Sequence, residues 1–150
     1  MIFNMNLWQT IFLILFSFKA LVALIIGLKQ SLKGNTFSLT PYLFFLGAFV
    51  WADAVIFGIF WVIVSAFCLF TQDWLLFLLI TSVFWLVRSA GEVVYWFNQQ
   101  FSVVERNKPS NMFLFKFFPN DAVWFVFQII WQCLLVGTII TTVYLFKLWL

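Results

Sequence analysis

Four long runs of apolar residues, separated by short polar segments, dominate the chain. The runs cover residues 7–28, 43–70, 74–101 and 122–149. Each reaches the length of about 20 apolar residues that an α-helix needs to cross a bilayer. Strand-like alternation is absent from the runs, and open strand backbone is too costly in lipid. The pattern therefore predicts an all-α membrane protein with four transmembrane helices.

Helix-capping residues mark several ends of these runs. Thr40 and Pro41 predict the start of the second helix, with Thr40 as the N-cap and Pro41 at the first helical position. A tight turn at residues 71–73 separates the second helix from the third. Short connections place successive helices beside each other. We therefore expect an antiparallel four-helix bundle that forms one transmembrane domain over residues 1–150.

The connection between the third and fourth helices contains an apolar stretch that is too short to span a bilayer. Residues 112–118 read Met-Phe-Leu-Phe-Lys-Phe-Phe. The aromatic side chains suit the headgroup region, with Lys116 in water, so the stretch predicts a short interfacial segment. A docking site for a partner protein is the alternative interpretation.

Composition agrees with a membrane protein and excludes several kinds of chemistry. Hydrophobic residues make up 65% of the chain and charged residues 9%, against about 25% charged in soluble domains. Histidine is absent, and the two cysteines form no metal-binding motif. We therefore expect no metal site, no cofactor and no catalytic residue. The basic residues are scattered near segment ends, so the net charge of +3 does not indicate nucleic-acid binding.

The distribution of basic residues predicts the orientation. One side of the membrane would carry only Lys147, at the end of the fourth run. The other side would carry five basic residues, which are Lys29, Lys33, Arg106, Lys108 and Lys116. By the positive-inside rule, the two longer loops are cytoplasmic and both termini lie outside. The expected location is the cytoplasmic (inner) membrane.

Four ionisable residues fall inside the predicted helices: Lys19, Asp53, Arg88 and Glu92. Such residues are costly in contact with lipid tails and mark functional sites by default. Counted from the cytoplasmic ends of the four runs, they lie about 14 to 20 Å deep, as does Gln132 on the fourth helix. The sequence therefore predicts a charged layer near the middle of the membrane, enclosed by the bundle.

Helical periodicity supports an inward-facing layer. Arg88, Glu92, Tyr95 and Gln99 share one narrow stripe of the third helix, and Gln128 and Gln132 are one turn apart on the fourth. Because Arg88 and Glu92 are four residues apart, they can pair along their own helix. Lys19 and Asp53 would then pair between the first two helices. Small residues at four-residue spacing, Ala23 with Gly27 and Ala54 with Gly58, predict close contact of those two helices.

Two functions follow from this layer. The first is an oligomeric transporter or channel for protons, ions or a small polar solute. Its pathway would be lined by Lys19, Asp53, Arg88, Glu92, Tyr95, Gln99, Gln128 and Gln132. The alternative is a non-catalytic accessory or assembly subunit of a larger membrane complex, in which the charges form structural ion pairs. Either function implies contact with the lipid bilayer and with copies of the chain or a membrane partner. We expect no enzyme.

Overall fold

The computed structural model describes residues 5–103 and 107–150. Four long α-helices account for most of this part of the chain, and they are α1 (Leu7–Leu32), α2 (Trp51–Thr71), α3 (Trp74–Phe101) and α4 (Ala122–Trp149). All four are long and apolar enough to cross a membrane. The predicted all-α membrane protein is therefore confirmed at this level, whereas the arrangement of all four helices as one antiparallel bundle stays a prediction.

The bounds of three helices agree closely with the apolar runs. α3 and α4 begin and end at the predicted residues, and α1 begins where predicted but continues through Lys29 and Gln30 to Leu32. Polar side chains can extend a helix beyond its apolar part because the backbone hydrogen bonds are unaffected. A capping box fixes the start of α1, in which the Asn6 side chain accepts the Gln9 N–H and the Gln9 side chain accepts the Asn6 N–H.

The prediction of one continuous helix over residues 43–70 is wrong. Thr40 and Pro41 do begin a helix, but it is a 3-10 helix of six residues, Pro41–Leu46. Gly47 ends it in the left-handed conformation, with φ of 74°, and α2 begins only at Trp51. A glycine in this conformation is a common helix terminator because it lacks a Cβ atom.

Residues 36–50, which we call the folded-back segment, form a hairpin-like excursion between α1 and α2. Its two ends pair with each other: Thr40 N donates to Phe49 O at 2.7 Å, and Ala52 N donates to Thr36 O at 3.1 Å. Leu39 and Val50 form an isolated antiparallel β-bridge. The 3-10 helix Pro41–Leu46 therefore lies at the far end of a closed loop.

The tip of the folded-back segment lies beside α1 and α2. The Phe45 ring meets the Phe16 ring of α1 with 6.2 Å between centroids, and Trp61 Nε1 of α2 donates to Leu46 O at 3.0 Å. Trp61 lies ten residues beyond the start of α2, which corresponds to about 15 Å of helix. The segment therefore runs back along the two helices instead of extending beyond their ends.

The chain divides into two compact units. The first comprises Met1–Ile80 and Trp149, and the second comprises Thr81–Leu148 and Leu150. The first unit contains α1, the folded-back segment, α2 and the start of α3. The second contains the rest of α3, the connection after it and nearly all of α4.

In the first unit, glycines bring α1 and α2 into close contact. A methyl group added to Gly27 would lie 3.3 Å from Ala54 Cβ, and one added to Gly58 would lie 2.8 Å from Leu24 Cβ. The contacts run in opposite senses along the two helices. Ala20, Ala23 and Ala54 are also buried. The close contact predicted from the small-residue spacing is confirmed.

In the second unit, polar and aromatic contacts join α3 to α4. The hydroxyls of Ser82 and Thr142 lie 2.7 Å apart, and Gln100 Nε2 donates to Gln128 Oε1 at 2.6 Å. The Trp96 and Phe127 rings are stacked, with 4.9 Å between centroids. The described part of the connection contains two short 3-10 helices, Pro109–Asn111 and Phe113–Lys116. Arg106, counted above among the cytoplasmic residues, lies outside the described residues.

Replacing Gly58 with alanine tests the α1–α2 contact. We expect Gly58→Ala to lower the free energy of unfolding by about 1–3 kcal/mol, because the new methyl group would overlap Leu24 Cβ. Gly137→Ala is the matched control, since Gly137 has nothing within 4 Å of an added methyl group. Thermal unfolding in detergent, followed by circular dichroism, measures both. Equal stability of the two variants would contradict the packing described.

Candidate functional site

Asp53 lies in the first turn of α2 and not deep within a helix. Its Oδ2 accepts the backbone N–H of Phe49 at 3.0 Å. The first N–H groups of a helix and of the backbone leading into it lack helical acceptors, and a side-chain carboxylate is a common substitute. Asp53 therefore holds the end of the folded-back segment against α2. The predicted depth was counted from Leu43, whereas α2 begins only at Trp51, two residues before Asp53.

The predicted ion pair between Lys19 and Asp53 does not form in the part of the chain that the structure describes. Asp53 lies beside Trp51 and Ala54, which contact Gly27 of α1. Lys19 lies eight residues from Gly27, or about 12 Å along α1. Asp53 is separated from Lys19 because α2 begins eight residues later than the apolar run.

Lys19 instead sits on an exposed part of α1. Its ammonium lies 5.8 Å from the centroid of the Phe45 ring, at the tip of the folded-back segment. This is a cation–π contact near the outer limit of about 6 Å. Lys19 is thus a charged residue in the middle of a candidate membrane span, with an aromatic face and not a carboxylate as its neighbour.

Arg88 and Glu92 form an ion pair along α3. Arg88 Nη1 lies 3.0 Å from Glu92 Oε1, and the two side chains are 19% and 11% exposed. Trp96 Nε1 donates to the other carboxylate oxygen, Glu92 Oε2, at 3.1 Å. This geometry agrees with the pairing expected from the four-residue spacing. Both oxygens of the Glu92 carboxylate therefore have donors from the same helix.

The four neutral candidate residues occupy different surroundings. Gln99 is buried, and Tyr95 is half-buried with its hydroxyl accepting a hydrogen bond from the Asn107 side-chain amide. Gln128 is bonded to Gln100. Gln132 is exposed on α4. The prediction that Gln132 faces the interior is therefore wrong: the one-turn spacing from Gln128 did not bring both amides onto the buried face.

Sequence analysis missed several buried polar groups. In the first unit, Thr40 Oγ1 donates to Ala48 O at 3.2 Å, and the indole of the fully buried Trp61 holds Leu46 O. In the second, Trp124 Nε1 donates to Asn107 O at 2.8 Å. In the sequence, only the two tryptophans themselves indicated these hydrogen bonds, because a buried indole N–H requires an acceptor. Nothing in the sequence identified those acceptors.

The contacts described above join polar side chains to one another and to the backbone. In residues 5–103 and 107–150, no group of three or more metal-ligating side chains comes together. Among the described polar groups, two local sets contain candidate charged residues. One is the folded-back segment with Asp53 and Trp61, and the other is the Arg88–Glu92–Trp96 set on α3.

Removing the Trp61 hydrogen bond tests the anchoring of the folded-back segment. Trp61→Phe leaves the fully buried Leu46 without its indole donor, so we expect a loss of about 1–3 kcal/mol in unfolding free energy. Trp8→Phe is the control, because Trp8 is 77% exposed and should change stability by under about 0.5 kcal/mol. Thermal unfolding in detergent gives both values. A loss no larger for Trp61→Phe than for Trp8→Phe would argue against the anchor.

Comparisons with known proteins add no function to this geometry. No protein-family model, no curated protein and no solved structure matches the chain. The function is therefore proposed from the chemistry and placement of the described residues.

Proposed function

We propose that the protein is a non-catalytic subunit embedded in a larger membrane complex. The observation that carries this proposal is the set of contacts around Glu92. Its two carboxylate oxygens take donors from Arg88 and Trp96, each of which lies one turn away from Glu92 on α3. The charge is thereby neutralised within the helix, as a structural ion pair requires.

A paired carboxylate is a poor carrier of protons or cations. Release of Arg88 would break a partly buried ion pair in a low-dielectric setting, which is costly. Breaking such a buried pair typically costs about 3–5 kcal/mol. A transport cycle would have to supply that free energy at each turnover. A stable helix that carries its own neutral pair is better suited to assembly with other membrane helices.

Polar groups on the outer surface also favour a subunit. Lys19 is exposed in the middle of α1, and Gln132 is exposed near the middle of α4. Polar side chains within a membrane normally face other protein, because lipid tails cannot hydrogen-bond to them. Neighbouring helices in a complex would cover both residues. We place the complex in the cytoplasmic membrane, with both termini outside, on the distribution of basic residues.

An oligomeric transporter or channel is the second candidate, and one observation favours it. In the described part of the chain, the fully buried Ser89 hydroxyl has no hydrogen-bond partner. Ser89 lies one turn from Glu92 on α3, so a water molecule or an ion bound inside the protein beside Glu92 would satisfy it. The pathway would then include Glu92 as the titrating group, with Tyr95, Gln99 and Gln128 in its wall.

A double substitution tests the structural role of the ion pair. We expect Glu92→Leu to lower the unfolding free energy by about 3–5 kcal/mol, since Arg88 is left without its carboxylate. The double variant Arg88→Met/Glu92→Leu should recover most of that loss. Lys147→Met, at the exposed end of α4, serves as the single-charge control. Thermal unfolding of the four proteins measures this recovery, and its absence would contradict a structural pair.

Isolation from the native membrane tests the proposed function itself. A tagged chain extracted in mild detergent should be recovered with membrane partners at fixed stoichiometry. Recovery of the chain alone or as a homo-oligomer would count against a subunit. Flux into liposomes tests the second candidate, an oligomeric transporter or channel. Transport by the wild-type protein would establish a pathway if Glu92→Gln abolishes that transport and the variant still folds.

A further inference from the structure

We propose that the exposed face of α1 around Lys19 is a docking surface for a membrane helix of another protein, and that this helix carries an Asp or Glu side chain near mid-membrane. The inference rests on the proposed function and names the chemistry of one partner. Its basis is the position of the Lys19 ammonium, its surroundings and the placement of the acidic residues.

Lys19 lies too far from either end of α1 to reach water easily. It is 12 residues from Leu7 and 13 from Leu32, or about 18–20 Å along the helix in each direction. Lysines near helix ends extend their side chains to the interface, but this side chain covers only a fraction of that distance. An ammonium at this position therefore requires a partner inside the membrane.

The Phe45 ring does not supply a full counter-charge. The ammonium lies 5.8 Å from its centroid, and the attraction of a ring quadrupole is weaker than that of a carboxylate in a medium of low dielectric. The ring leaves Lys19 exposed on its other side. Phe45 thus orients the side chain while leaving the ammonium open to a second group.

The surroundings of Lys19 have the spacing of a helix-packing seam. Exposed apolar residues precede and follow Lys19 at intervals of three and four, and they are Leu15, Val22 and Ile26. Such a row forms a continuous stripe on one side of a helix, suited to another helix lying alongside. A helix on this stripe would bring its central side chains against Lys19.

A second copy of this chain does not offer the required carboxylate from the residues that the structure describes. Asp53 holds the Phe49 N–H, and Glu92 is paired with Arg88. Asp73 caps the start of α3 by accepting Leu76 N–H, and Asp121 precedes the first residue of α4. None is an exposed carboxylate within a span, so charge complementarity favours a different protein.

Energy transfer in vesicles tests the docking surface with a defined probe. The full-length chain, labelled with a donor, is reconstituted in phosphatidylcholine with an acceptor-labelled Leu/Ala transmembrane peptide that carries one central Glu. Peptides with a central Gln or Lys are the matched controls. We expect association with the Glu peptide to exceed that with the Gln peptide by about tenfold, because an ion pair replaces a neutral contact. Equal association of the three peptides would overturn the proposal.

Variants of Lys19 test whether its ammonium is the group that recognises the Glu peptide. Lys19→Met should remove the preference for the Glu peptide, and Lys19→Arg should keep it. Lys29→Met, in the last turn of α1, is the control and should also keep it. A preference that survives in Lys19→Met would contradict the assignment. The three peptides on the wild-type chain give an independent result that does not depend on the folding of any variant.

Photo-crosslinking in the native membrane shows which molecule occupies the docking surface: another protein, a second copy of the chain or lipid. A photoreactive residue at Leu15 should join the chain to a protein with an acidic residue inside a transmembrane segment, and Lys19→Met should remove the product. Products between two copies, or with lipid alone, would overturn the docking surface while leaving a subunit role intact if the chain still purifies with partners. Conversely, a chain that purifies alone yet prefers the Glu peptide would refute the subunit role and support the surface.

Discussion

The folded-back segment finds partners within the protein for its backbone polar groups, and any backbone that lies within a bilayer must do the same. Its ends pair through Thr40 and Phe49, its tip is held by the Trp61 indole, and Asp53 accepts the N–H of Phe49, two residues before α2. Each of these contacts uses a buried or half-buried side chain or backbone group. The segment can therefore lie beside α1 and α2 without leaving those groups exposed to lipid.

The same segment determines which polar residues are available for function. By occupying residues 36–50, it delays the start of α2 and holds Asp53 near one end of the α1–α2 contact. Lys19 is left beside the Phe45 ring instead of a carboxylate. On α3, by contrast, Arg88 and Glu92 neutralise each other. The ion pair on α3 and the exposed ammonium on α1 together support the proposed role as a subunit of a membrane complex.

The sequence predicted the features that depend on local spacing. The bounds of α3 and α4, the close contact at Gly27 and Gly58, and the proximity of Arg88 to Glu92 all follow from helical periodicity. The prediction from sequence failed where a single residue, Gly47, ends a helix and changes the path of the chain. Hydropathy cannot distinguish a helix over residues 43–50 from an apolar loop, although Gly47 was a recognisable terminator. The exposed position of Gln132 depends on packing, which periodicity on one helix does not determine.

Cross-linking of paired cysteines tests the path of residues 36–50 most directly. In a background without Cys68 and Cys133, a short thiol-reactive cross-linker should join Phe16→Cys to Phe45→Cys and leave Lys19→Cys with Asp53→Cys unjoined. The Phe16 ring on α1 neighbours the Phe45 ring of the folded-back segment. Lys19 and Asp53, in contrast, are separated by about eight residues of helix. The opposite result, with Lys19 and Asp53 joined and the first pair not, would show a continuous second helix and contradict the structure described.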